Sequence, residues 1–309
     1  MLQQTLHILN GDSLTPRLAK LGITDDQLVW REMLCEGTTS YDLKSEAFKL
    51  ERIAFLKAFG ADEKTYTESF LNPLLTTNFA KYTSIVLWFE YDLFCHINMM
   101  AALSHIKQLK VSGKIYLVCS GWIENDPNLK GLGELTDAQL KSHYQQRVAL
   151  TLTDLELADT LWKLYCSDNH IDFKKHVTTS SSFPYLSNCI NAHLKRFPAI
   201  DSGLNVLEKH ILKIIQNEEI KNSRQLTGYI LQYQGYYGFG DLQITRIIDR
   251  LTAFYEHQEK RLALNRKGLL AIESMQNFYN ELSDATVFGN CRKYDFSYHP
   301  AAQILTKHE

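Results

Sequence analysis

The sequence predicts an α/β N-terminal domain with a mainly parallel sheet, an all-helical middle region and a winged-helix-like C-terminal region. Three observations carry that prediction. Short β-type runs alternate with amphipathic helical patterns through the first third of the chain. The strand signals then stop after Gly121. Beyond Pro198 to Gly203, three helical patterns precede a short strand and a closing helix. The expected divisions are 1–125, 126–202 and 203–309.

Leu6 to Leu9 reads as the first strand. Thr15-Pro16 resembles a helix start with proline in the first turn, and Gly22 a helix end. Gln27 to Glu32 is a second strand, and Asp42 to Phe59 a helix with Gly60 just past its end. Ser84 to Phe89 is almost continuously apolar, as a strand buried on both faces requires. Phe94 to Leu109 reads as a helix and Lys114 to Cys119 as a fourth strand, an order that favours parallel pairing with crossover helices.

Helical patterns follow at Thr136 to Arg147, Thr153 to Cys166, Phe173 to Val177 and Phe183 to Phe197, with Thr153 and Glu156 spaced as a capping box. In the last third, Asn205 and Glu208 repeat that spacing before an apolar stripe. Helices from Ser223 to Gln234 and Asp241 to Tyr255 follow, then a strand from Arg261 to Asn265 and a helix opening at Arg266. Arg292 to Asp295 is a candidate final strand.

The chain has 309 residues, 45% hydrophobic, with 33 basic against 35 acidic side chains and a net charge of −2. That balance excludes a whole-protein field for nucleic acid or anionic membrane. No apolar run is long enough to span a bilayer. Six cysteines lack C-x-x-C spacing and several sit in apolar surroundings, which fits free thiols in a reducing compartment. The N-terminus carries no signal-peptide pattern, so the expectation is a cytoplasmic protein.

Three segments stand out together: His7-Ile-Leu-Asn-Gly-Asp-Ser13, Leu28-Val-Trp-Arg-Glu-Met-Leu-Cys-Glu-Gly37 and Leu87-Trp-Phe-Glu-Tyr-Asp-Leu93. With Gly131-Leu-Gly-Glu-Leu135, Phe183-Pro-Tyr-Leu186 and Phe239-Gly-Asp241, the chain resembles the bacterial family called domain of unknown function 1835 over nearly its whole length. The resemblance implies no activity. One departure is Tyr91, where members of that family often carry histidine.

Ligands of parallel α/β sheets bind outside the carboxyl ends of the strands. Four predicted strand ends carry polar residues: Asn10, Gly11, Asp12 and Ser13; Arg31 and Glu32; Glu90 and Asp92; and Ser120. Carboxylates gathered there need a cation, an arginine or a shared proton. A Mg²⁺ ion on one or two carboxylates plus phosphate oxygens is an economical solution. Asp12, Glu90 and Asp92 are then the expected metal ligands and acid–base groups, and Arg31 neutralises a small phosphorylated or nucleotide-like ligand. Asn10, Gly11, Glu32 and Ser120 line the site, and Ser13 contacts substrate. The opposing expectation is that Asp12 or Ser13 merely caps the helix near Pro16. His7 reads as a satisfied buried histidine, and Cys95 and His96, adjacent in the chain, as poor metal ligands.

Two other functions compete. Gly11-Asp12-Ser13-Leu14 is similar to the GDSL esterase motif with Ser13 as nucleophile, and Asn125-Asp126 and Asp295 to His299 follow in a suggestive order. The Asp-to-His spacing is one residue longer than that family's. Alternatively the protein is a regulator whose winged helix binds DNA or protein, with Gln243, Arg246 and Arg250 as nucleic-acid contacts. Residues 205–273 hold ten basic and eight acidic side chains, a small surplus for neutralising phosphates.

Overall fold

The structure is a computed structural model that describes residues 4–124 and 126–308. The chain forms two compact units: Met1–Asp168 with Thr178–Leu186 and Phe288–Asn290, and Asn169–Val177 with Ser187–Val287 and Cys291–Glu309. The segment expected as a helical middle region is therefore divided between them.

The first unit opens with strand β1 (Thr5–Asn10), helix α1 (Thr15–Lys20) and strand β2 (Asp26–Trp30). The two-residue strand β3 (Gly37–Thr38) pairs in parallel with Phe288 and Gly289. Helix α2 (Glu46–Lys57) is capped by the Ser45 hydroxyl, which accepts from the Phe48 N–H. Short helices α3 (Glu63–Tyr66) and α4 (Asn72–Thr76) flank a π-helical turn over Thr67–Leu71, a region in which the sequence reading placed no element. Strand β4 (Ser84–Phe89), helix α5 (Leu93–Gln108), strand β5 (Lys114–Cys119), helix α6 (Asp137–Gln145), strand β6 (Val148–Ala149) and helix α7 (Leu152–Tyr165) complete the unit.

The strands form one sheet in the order β2-β1-β4-β5-β6, parallel except for β6, which runs antiparallel to β5. In register, Asn10 lies opposite Trp30, Leu9 opposite Trp88, and Phe89 opposite Cys119. Strand β4 is buried along its whole length, as its unbroken apolar run requires. Leu14, Leu18, Leu132 and Leu140 pack on one face of the sheet against Leu9, Val86, Trp88 and Val118. Helix α5, buried nearly all round, packs against α7.

Several boundaries differ from expectation. β2 ends at Trp30, which leaves Arg31 and Glu32 beyond the strand. The capping box of α7 is Thr151 with Asp154, two residues before the expected pair, because Asp154 returns its carboxylate to the Thr151 N–H at 2.8 Å. β6 escaped the reading because two exposed residues cannot display an alternating pattern.

In the second unit, helix α8 (Leu186–Leu194) is followed by α9 (Val206–Asn217), whose Asn205–Glu208 capping box forms as expected. Then come α10 (Ser223–Tyr233), α11 (Asp241–Arg250), the antiparallel hairpin of β7 (Tyr255–Gln258) and β8 (Arg261–Leu264), and α12 (Arg266–Ile272). The expected strand at 292–295 is displaced. Lys293–Asp295 is a tight helical turn, and an antiparallel hairpin follows from Phe296–His299 and Ile304–Lys307. Among the described residues, no helix is long and apolar enough to cross a membrane.

Candidate functional site

The strand order places β1 and β4 side by side, while their onward connections lead to β2 on one flank and β5 on the other. Such a reversal opens a crevice at the carboxyl ends of the central pair. The residues beside it follow Asn10 on β1 and Phe89 on β4.

Gly11 leaves β1 with φ +91°, a left-handed turn that favours glycine. Asp12 and Ser13 are exposed, and neither side chain caps α1. The capping expectation is thus replaced by an ion pair: Arg31 Nε donates to Asp12 Oδ2 at 2.9 Å, and Arg31 Nη1 donates to the Ser69 carbonyl of the π-helical turn at 2.6 Å. Asp12 and Arg31 form a rim, and Asp12 stands outside the cluster of possible metal donors. Ser13 has no hydrogen bond to a base among the described residues. Asn125 lies outside the described residues, and His299 shares a hydrogen bond with Thr306 at 2.8 Å.

Glu32 is placed differently from the expectation. Its carboxylate is buried and accepts from Arg52 Nη2 at 2.8 Å, from Arg52 Nε and from the Tyr66 hydroxyl. Those bonds make it an internal ion-pair member that holds the chain after β2.

After β4, Glu90 accepts from the Gly133 N–H, and a Cβ on Gly131 would approach both Glu90 carboxylate oxygens to 2.9 Å. Arg17 holds this 131–137 loop by donating to the Leu132, Gly133 and Leu135 carbonyls and to Asp137. Asp92 caps α5, accepting from the Cys95 N–H at 2.8 Å. Burial raises the Glu90 carboxyl above its ordinary range, and the Leu132 and Gly133 N–H groups oppose that rise. Burial, then the nearby Glu90 charge, pushes Asp92 up to about 7.

Glu90, Asp92 and Cys95 offer donor atoms that all lie within 4.8 Å of one another. Cys95, expected to be a poor ligand, lies three residues into the helix from Asp92, a position that turns its thiol back toward the cap. The Asp-x-x-Cys spacing was the available signal. His96 does differ, its Nδ1 lying 2.9 Å from the Asp92 carbonyl within its own helix; burial lowers its pKa to about 4.

Asn10 faces α5. Its Nδ2 donates to Cys95 Sγ at 3.0 Å, and its Oδ1 accepts from Asn98 Nδ2 at 2.8 Å. Asn98, which the sequence reading did not single out, also donates to the Glu32 carbonyl and accepts from the Leu34 N–H, so it ties the ends of β1 and β2 to α5. Ser120 follows β5 with a buried hydroxyl that has no hydrogen-bond partner among the described residues. At Gly121 a Cβ would fall 2.0 Å from Tyr185 Oη, which accepts the Trp122 N–H at 2.8 Å. The Tyr185 ring meets Tyr91 edge to face, and Trp122 is 60% exposed, whereas Trp30 and Trp88 are core residues. His7 is buried and its Nδ1 accepts from Trp88 Nε1 at 3.0 Å, but its Nε2, 3.7 Å from Asp25 Oδ2, has no hydrogen-bond partner among the described residues, so the expected satisfaction is met at one ring nitrogen only.

In the second unit, the expected nucleic-acid contacts separate. Gln243 is buried and accepts from the Gly240 N–H. Arg250 donates to the Leu282 carbonyl and the Tyr294 hydroxyl and pairs with Asp284 at 3.3 Å. Only Arg246 of the three stands on the exposed face of α11. Glu208 lies buried beneath, paired with Lys293 at 3.1 Å.

No family model matches the chain, and no curated protein matches it.

Proposed function

We propose that the first unit binds, and in the presence of a divalent cation hydrolyses, a small phosphorylated or nucleotide-like molecule at the carboxyl edge of its sheet. The observation that carries this reading is the pair of neighbouring carboxylates, half-buried Glu90 and buried Asp92, beside the crevice between β1 and β4. Two acids this close favour a cation between them, and a cation there would face phosphate oxygens. The Asp12–Arg31 ion pair forms a polar rim, and exposed Trp122 offers a face for a ring. The test is calorimetric titration of the full chain with inorganic pyrophosphate and with ADP, each with and without divalent cation. Cation-dependent binding that Glu90→Gln and Asp92→Asn abolish supports the reading; binding that survives both substitutions overturns it.

A second reading concerns the second unit. The succession of α9, α10 and α11, a β-hairpin and α12 supports a winged-helix-like domain. Since Gln243 and Arg250 are engaged within the unit, we read it as a protein-contact or packing module in preference to a DNA reader. The resemblance to the domain of unknown function 1835 family is compatible with both readings.

A further inference from the structure

We infer that Glu90, Asp92 and Cys95 form a mixed carboxylate–thiolate site for a borderline divalent cation of the zinc class, and not a Mg²⁺ site. The inference rests on the proposed strand-end cation site and names its donors and metal class. A four-coordinate ion with oxygen and sulfur ligands holds its donors about 3.3–3.8 Å apart. The three donor atoms, within 4.8 Å of one another, need only a side-chain adjustment to reach that spacing. Asp92 and Cys95 are fixed relative to each other by the first turn of α5, and Glu90 approaches from the end of β4.

The sulfur is the discriminating donor. Mg²⁺ demands six hard oxygen ligands, whereas thiolate with carboxylate suits zinc and its neighbours. A directed chain of hydrogen bonds ends on that sulfur. The Leu34 N–H donates to Asn98 Oδ1, Asn98 Nδ2 donates to Asn10 Oδ1, and Asn10 Nδ2 donates to Cys95 Sγ. The backbone N–H at the start fixes the orientation of both amides, so an N–H is what meets the sulfur. Burial and the Asp92 and Glu90 charges push the metal-free Cys95 thiol up, so the amide donor meets a thiolate, the stronger acceptor, only when a bound cation displaces the proton. Such outer-shell donors orient and tune metal ligands.

A separate observation points into the same place. The Ser120 hydroxyl is 1% exposed and has no hydrogen-bond partner among the described residues. The parallel register that sets Phe89 opposite Cys119 brings the ends of β4 and β5 together, and Ser120 directly follows β5 where Glu90 directly follows β4. A hydroxyl there is placed to hydrogen-bond a water or ligand oxygen in the fourth position of a three-donor ion, the open position that catalytic zinc sites keep. Among the described residues no basic side chain pairs with Glu90 or Asp92, since Arg31 is taken by Asp12 and Arg52 by Glu32.

The test uses the full chain stripped with chelator and titrated with Co²⁺, Zn²⁺ and Mg²⁺. The expected result is a near-ultraviolet thiolate-to-cobalt charge-transfer band that Zn²⁺ displaces and excess Mg²⁺ does not. Cys95→Ser removes the band while circular dichroism stays native. Asn10→Ala retains the band and weakens Co²⁺ binding roughly 10–100-fold. A band that persists in Cys95→Ser, or Co²⁺ binding with no such band, overturns the inference. If Mg²⁺ binds and Cys95→Ser leaves that binding unchanged, the thiolate site falls while the cation reading stands. If none of the three ions binds, both fall.

Discussion

Arg52 clasps the Glu32 carboxylate from α2, with neither side chain exposed to solvent. The same guanidinium donates to the Glu36, Thr38 and Met33 carbonyls, so one side chain organises the segment between β2 and β3. Removing one member leaves the other charge buried, a loss of roughly 3–5 kcal/mol. Arg52→Met should therefore lower unfolding free energy by about that amount in urea titrations. The double variant Arg52→Met/Glu32→Gln should recover part of it, because the stranded carboxylate is gone.

Asp92 makes stability pH-dependent in a defined direction. Its carboxyl is raised by burial and by Glu90 from 3.8 to about 7. Well below pH 3.8 both folded and unfolded states hold the proton and the group costs nothing, and at pH 4 the cost is still under about 1 kcal/mol. As pH rises toward 7 the unfolded chain releases its proton first, and stability falls; above 7 the loss is complete. Asp92→Asn keeps a capping acceptor for the Cys95 N–H and removes the titration. With chelator present, it should stabilise the protein by on the order of 2–4 kcal/mol at pH 8 and by less than about 1 kcal/mol at pH 4. Thermal melts at the two pH values check this.

Gly131→Ala probes the loop beneath Glu90. The backbone at Gly131 has φ −71° and ψ 159°, which alanine adopts freely, so the substitution acts through space alone. Its Cβ would press on the end of the Glu90 side chain. Melting temperature should change little, within roughly 0.5 kcal/mol of stability, while divalent-cation affinity falls several-fold in calorimetric titration.

The arginines of α11 should behave oppositely to each other. Arg250→Ala removes the partner of Tyr294 and Asp284 above buried Glu208 and should cost about 1–3 kcal/mol of stability. Arg246→Ala, on the exposed face, should cost less than about 0.5 kcal/mol. Fluorescence anisotropy with duplex DNA should show no sequence-selective binding for Arg246→Ala or the native chain. Selective binding lost in Arg246→Ala would restore the DNA-reading role.

The parallel sheet was legible because β1, β4 and β5 are apolar runs bounded by turn residues, a signal strong enough to stand without tertiary context. β6 and the 63–76 region were not, since two-residue strands and short helical turns owe their form to neighbours. The site was readable as an address and misread in part as a donor set. A strand-end list cannot tell that Asp12 meets Arg31, that Glu32 meets Arg52, or that helix geometry returns Cys95 to Asp92. Those choices depend on partners distant in sequence, such as Arg52 and Asn98, which carry no local mark.

Gly121 and Tyr185 share one small volume, with the phenol oxygen occupying the space that any side chain at 121 would need. The two positions are therefore not free to vary alone. A relative with a larger residue at 121 must have a smaller one at 185, and with it a Trp122 backbone released from its acceptor. Correlated replacement at this pair would mark descendants in which the aromatic edge of the crevice has been rebuilt, and unchanged glycine and tyrosine those in which it is retained.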